Sequence, residues 1–347
     1  MEQTQFNSEG PAPFFSREMS RMIKGIAILM MLMHHCFAFP AFWLDGFQTG
    51  NVLSTISDNF KICVAMYAFI TGYGFCAGKV GNYRKQTGKV LTFLGQYWLQ
   101  LFLIFLPIAS VSYTFSLRKI LYNMAALHDN VVLFAWYVFF HCIVMLTFPL
   151  VRRLLNGGLC RDLVTVLFGG YCVTVLFYFQ PLEGPLFSML IDCSVYYPVV
   201  GMGYLTAKYA LFDRIAPRLN IVGAVFLIPL AILLRTKLSV VKGFTFDTFY
   251  APILIMSLCR VLEKCGWVHK PLMFLGKYSF HMWLFHSIFF SAYTRDIAQP
   301  LINWTSVPIL RFVLVTILSA AAAVLIDRLW NIIVILTKRL GSRIRSR

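Results

Sequence analysis

Charge is what this chain has least of. Only 13% of its 347 residues are Asp, Glu, Lys or Arg, and 14 are acidic. A soluble domain carries about 25% charged residues, and the 59% hydrophobic content is more than a soluble core can use. A water-soluble globular fold is excluded. The apolar runs also lack the residue-by-residue alternation of a membrane β-barrel, so they read as helices. No C-x-x-C occurs among the nine cysteines. Cys36, Cys63, Cys76, Cys142, Cys172, Cys193 and Cys259 fall inside apolar runs and read as small core residues rather than a disulfide framework. No metal site is expected. There is no repeat, no low-complexity tract and no separate soluble domain, and the first apolar run has no small-x-small cleavage site, which makes it an uncleaved span.

What is present is a series of apolar stretches, each long enough to cross a hydrocarbon layer of roughly 30 Å at ~1.5 Å per helical residue. Spans are expected near 22–40, 60–78, 89–110, 131–150, 163–180, 188–207, 219–234, 247–263, 272–293 and 307–337. The expected fold is an all-α polytopic transmembrane helical bundle of about ten spans. A net charge of +17 would suggest nucleic acid in a soluble protein, but here it sorts by loop, the pattern that keeps basic loops in the cytoplasm. Lys79, Arg84, Lys85 and Lys89 fill one loop, Arg152, Arg153 and Arg161 the next on that side, then Lys208, Arg214 and Arg218, then Lys264 and Lys270. The alternate loops hold fewer cations, with Arg118, Lys119, Lys242 and Arg295 the main exceptions. Both termini are therefore expected in the cytoplasm, and the protein in the inner (cytoplasmic) membrane as a multi-pass chain. Residues 1–16 read as a short arm and 338–347 as a basic cytoplasmic tail. Membrane lipids are expected partners and nucleic acid is not.

An ionisable group at the bilayer centre costs at least ~2.5 kcal/mol and ordinarily faces a cavity or a partner. In the first span Lys24 and His35 are eleven residues apart, about three turns plus 20°, so they share a face about 16 Å apart along the axis. His34 stands beside His35. In the ninth span Ser279 and His286 share a face, while His281 is turned about 140° from His286. His286 is nine residues beyond Lys277, and both spans leave the cytoplasm in the same sense. The two histidines, His35 and His286, are thus expected at similar depth. Asp192 is a lone acid in the sixth span without an assigned role.

These residues resemble a known family. Lys24 to His35 is similar to the basic-x10-His signature of the membrane acyltransferase-3 family, and Lys277-Tyr278-Ser279 through His286 to its late helix. Phe69-Ile70-Thr71-Gly72-Tyr73 looks like the family's second span, followed by the basic loop Tyr83 to Lys89 and by Gln96-Tyr97-Trp98. Trp136-Tyr137 and Gly201-Met202-Gly203-Tyr204 fit as well, so the resemblance covers nearly the whole chain, with 17–337 as the acyltransferase-like domain. Two positions depart from it: Lys24 stands where the family usually has Arg, which keeps the charge but loses the bidentate fork, and Thr71 where Ser is common.

The resemblance implies an O-acetyltransferase moving acetyl from cytosolic acetyl-CoA, as co-substrate, to a hydroxyl of a cell-surface or lipid-linked glycan. His35 would be the general base or acyl carrier, His34 and His286 would orient or polarise, and Lys24 would supply a cation. Arg84, Lys85 and Lys89, with Arg17 and Arg21, would hold the CoA phosphates. Ser279, Tyr137, Trp136 and Lys61 would contact the acceptor. The lack of an appended extracytoplasmic domain suggests that the membrane part acts alone on a lipid-linked or nascent glycan, or feeds a separate protein. A proton-coupled transporter or flippase for a glycan or small solute is the alternative; it would call for matched halves with broken helices, and neither is evident. A purely structural assembly partner would not need cations and histidines along one helix face.

Overall fold

The computed structural model describes residues 13–78, 83–127, 131–179, 183–237 and 246–345, without the side chains of Tyr83, Arg84, Pro185, Thr236 and residues from 340 onward. Among the described residues all regular structure is helical. The principal helices are α1 (Arg17–Phe37), α2 (Asn51–Asn59), α3 (Cys63–Ala77), α4 (Tyr83–Gln100), α5 (Trp136–Val151), α6 (Leu159–Tyr178), α7 (Pro185–Lys208), α8 (Ile221–Lys237), α9 (Asp247–Leu262), α10 (His269–Phe285) and α11 (Pro308–Arg345). A helix occupies each of the ten expected ranges.

Length and apolarity single out fewer of them. Among the described residues five helical stretches qualify as spans by those criteria: Asn51–Ala77, Lys85–Ala109, Leu159–Tyr178, Leu186–Lys208 and Pro308–Arg339. Leu211–Arg218 and Ile221–Arg235, bent by 114° at the break between them, would make a sixth. α1, α5, α9 and α10 fall outside the set because the first carries Arg17, Glu18, Arg21 and Lys24 near its start and the others have 16 or 17 residues. Their surroundings explain this. α1 and α10 lie in the middle of the bundle, where neighbours rather than lipid cover polar side chains and irregular ends.

Boundaries depart from the expected spans where a cap or polar stretch extends a helix beyond its apolar run. α1 begins at Arg17, because the Ser16 side chain accepts from Met19 N at 3.1 Å and Glu18 suits the positive helix end. α4 begins at Tyr83 through Lys85 and Lys89, then continues past a π-helical turn, Leu101–Phe105, to Ala109.

Two parallel helix pairs form the centre. Gly25 and Gly276 put α1 and α10 in backbone contact: a Cβ on Gly25 would meet the Leu272 carbonyl, and one on Gly276 the Arg21 carbonyl. Gly72 and Gly203 do the same for α3 and α7, against the Val200 and Phe69 carbonyls. The Arg17, Arg21 and Lys277 ends of α1 and α10 form a basic face with the ends of α3 and α7. There Lys208 donates to Asp162 at 2.7 Å and to the Leu155 carbonyl at 2.5 Å.

The opposite face is closed by residues 38–50 and 287–305. Buried Gln299 donates to the Phe42 and Phe289 carbonyls at 2.6 and 2.7 Å and accepts from Leu44 N at 2.9 Å. Arg311, 2% exposed, donates to the Thr305 carbonyl, to both carboxylate oxygens of Asp45, and lies over the rings of Phe47 and Trp43 at 4.1 and 4.8 Å. We refer to this assembly as the cap.

Candidate active site

α1 and α10 end side by side beneath the cap. His35 Nδ1 lies 2.7 Å from His286 Nε2, with the two rings stacked at 4.9 Å. His286 is fully buried, and Phe134 stacks on His35 at 3.5 Å. His35 stands eighteen residues past Arg17, about 27 Å along α1. The pair is therefore near the far ends of both helices rather than midway.

Hydrogen-bond roles follow from His286 Nδ1, which faces the Met282 carbonyl at 3.3 Å. A carbonyl only accepts, so this nitrogen carries the proton and, in the neutral ring, Nε2 accepts. His35 Nδ1 must then donate to it. The remaining His35 nitrogen, Nε2, keeps its lone pair and has no partner among the described residues, the arrangement a base or nucleophile requires.

His34 is held differently. Its Nδ1 donates to the Ser57 carbonyl at 2.9 Å, tying α1 to α2. Its ring is 5.1 Å from that of His35, without a hydrogen bond between them. His281 faces α4, with its Nδ1 3.1 Å from Gln100 Nε2, away from His286 as the helical spacing predicts.

From the basic face, a cavity of about 500 Å³ is lined by Arg17, Arg21, Lys24 and Lys277. Lys24 also lines an inner cavity of about 140 Å³, with Tyr67, Thr71, Tyr137, His141, Ser279 and Trp283 in its wall. Met31, one turn before His35, and Trp283, one turn before His286, close its inner end. The two cavities share Lys24, so a path runs from the cationic mouth past Lys24 to a group of hydroxyls and stops about one turn short of the histidine pair, which lines neither cavity. A third cavity, also about 140 Å³, holds Lys89 and Gln86 and shares Thr71 with the inner cavity and Gly74 and Gly78 with the mouth.

Along the path Arg17, Arg21 and Lys24 line the mouth and Lys24, Ser279 and Tyr137 the inner cavity, with Lys89 in the side cavity and His35 and His286 paired about one turn beyond the inner end. Others lie apart from it. Lys85 is exposed beside the side cavity, and the Arg84 side chain lies outside the described residues. Trp136 is not in the cavity wall; its ring packs on Tyr196 at 5.7 Å. Lys61 sits on the far side and acts electrostatically on His34 and His35 and on Asp192. Asp192 is half-buried beside that cation, so it is not the lone buried acid of the sequence reading. Sequence reasoning passed over His141, Tyr67, Phe134 and Gln86. Only His141, an ionisable residue within an apolar run, carried a signal that could have placed it.

The site is thus a basic mouth and a buried pair of imidazoles in a bundle of apolar helices. A family model described as an acyltransferase domain matches residues 21–328. The chain belongs to that acyltransferase-3 family and is a membrane acyltransferase. No curated protein and no solved structure matches it.

Proposed function

We propose that the protein is an O-acetyltransferase that takes acetyl from acetyl-CoA at the basic face and delivers it to a hydroxyl of a surface or lipid-linked glycan reaching the histidine pair from the capped face. The contact between His35 and His286 beyond the end of the cavity path carries this reading. His35 Nε2 removes the acceptor's hydroxyl proton as the oxygen attacks the thioester carbonyl; the carbon–sulfur bond breaks, and the imidazolium returns the proton to the thiolate. His286 is the positioning residue that fixes the tautomer of His35. Arg17, Arg21, Lys24 and Lys277 lie where the diphosphate and ribose phosphate would enter, and cations there form charge-assisted bonds with them. A path this narrow at its inner end suits a small acyl group. Ten spans, cytoplasmic termini and an inner-membrane location belong to the same proposal, supported by helices in all ten ranges and by basic loops on the mouth side.

The test is His35→Ala in membranes at equal abundance, with acetyl transfer to glycan followed by mass spectrometry. Removing a general base costs about 10²–10⁴-fold. Near-normal acetylation would remove His35 from the chemistry.

A further inference from the structure

Gln86 is 1% exposed, and neither its amide nitrogen nor its oxygen has a hydrogen-bond partner among the described residues. A buried carboxamide left unpaired at both ends loses its hydration at each atom without recompense. Such a cost is borne where a ligand supplies the missing partners. Gln86 lines the side cavity of about 140 Å³ that opens beside the mouth, together with Thr71, Gly74, Phe75, Lys89 and Met145. Its apolar walls come from an aromatic ring and a thioether, both of which pack well on a flat ring. Lys89 is exposed and free to meet a phosphate.

We propose that this side cavity is the nucleobase site of the donor, with Gln86 reading the adenine ring through a paired donor and acceptor. This rests on the acyl donor being a CoA thioester. A primary amide presents one N–H and one C=O side by side, complementary to the 6-amino group and adjacent ring nitrogen of adenine. The amides of the pantetheine arm could satisfy the same atoms. The cavity's place decides for the base: it lies to the side of the route from the mouth to the histidines, next to a cation, where the nucleotide end of the donor would rest while the arm runs inward past Lys24.

The experiment measures binding to the full chain in detergent of acetyl-CoA, acetyl-4′-phosphopantetheine, and an acetyl-CoA analogue whose purine lacks the 6-amino group. A bidentate amide–adenine pair is worth about 5- to 150-fold. Wild-type protein is expected to prefer acetyl-CoA over the purine analogue by a factor in that range, and over the nucleotide-free donor by more, because that donor also lacks the ribose phosphate and half of the diphosphate. Gln86→Leu should lose the preference for acetyl-CoA over the purine analogue, binding those two alike and both ahead of the nucleotide-free donor, while its ligand-free form melts at a higher temperature because two orphaned buried atoms are gone. Equal wild-type affinity for acetyl-CoA and the purine analogue overturns the proposal without any variant. So does a Gln86→Leu protein that keeps its preference, or that loses affinity for the nucleotide-free donor as much as for acetyl-CoA, which would assign Gln86 to the arm. Failure of wild type to bind any of the three overturns the CoA reading itself.

Discussion

At the scale of the residue, two neutral imidazoles joined nitrogen to nitrogen cannot be equivalent. The Met282 carbonyl makes His286 the acceptor in the pair and leaves His35 with the outward lone pair. In the proposed reaction, removing either ring should end the same function, one by loss of the base and the other by loss of its orientation. Groups that act as a unit are not additive. We therefore expect His35→Ala and His286→Ala each to lower acetyl transfer by two or more orders of magnitude, at about the general-base scale, and the double variant to be scarcely worse. His281→Ala, facing Gln100, should retain most activity. Double-variant losses equal to the product of the singles would mean separate roles. The pair could be anticipated because depth along a helix is arithmetic on residue number. Arg235 and Asp247 could not. The first sits just past an expected span and the second opens the next, yet the structure buries them as a two-point ion pair, at 2.7 and 3.2 Å. Neither charge could be buried without the other, and no local pattern announces which partner will arrive.

At the scale of the element, depth matching of the histidines depends on how closely α1 and α10 approach. Glycines set that distance, since at Gly276 any Cβ collides with a main-chain carbonyl that cannot rotate away. Gly276→Val should therefore push the helices apart, costing about 1–3 kcal/mol or more, and separate the two rings. Loss of activity with a lowered melting temperature in detergent is expected. Gly88→Ala is the comparison: a Cβ there meets nothing within 4 Å on an exposed stretch of α4. It should be neutral or slightly stabilising. An unchanged melting temperature for Gly276→Val would show that the close approach is dispensable. Helix positions were legible from the apolar runs. The π-helical turns in α4 and α6 and the short helices of the cap were not, because they answer to neighbours rather than to periodicity.

At the scale of the whole molecule, the histidine pair lies between two unlike ends, a cationic mouth on one side and a polar-anchored cap on the other. The cap covers the histidine pair on the side away from the mouth, and an ion pair helps to fasten it. Arg311 donates to both oxygens of Asp45, and these hydrogen bonds, ahead of the opposing effect of burial, hold the Asp45 carboxyl below the ordinary aspartate range. A lowered folded-state value means that the carboxylate's contribution is fully present above the unfolded value of about 3.9 and is lost as pH falls through the folded one. Asp45 is about a third exposed, so solvent screening reduces the effect, and it should appear as local loosening rather than global unfolding. Amide hydrogen exchange across 38–50 is expected to rise as pH drops below the ordinary aspartate range, once the intrinsic acid dependence of exchange is divided out. Asp45→Asn should show raised exchange at neutral pH and little further change on acidification. Arg311→Gln should match it, and in the proposed reaction both should alter the apparent affinity for the acceptor more than that for acetyl-CoA, whose route lies at the other end. A cap that is equally protected in Asp45→Asn and wild type at neutral pH would show that Gln299 alone holds it, and would leave access from the capped face without a pH-sensitive fastening.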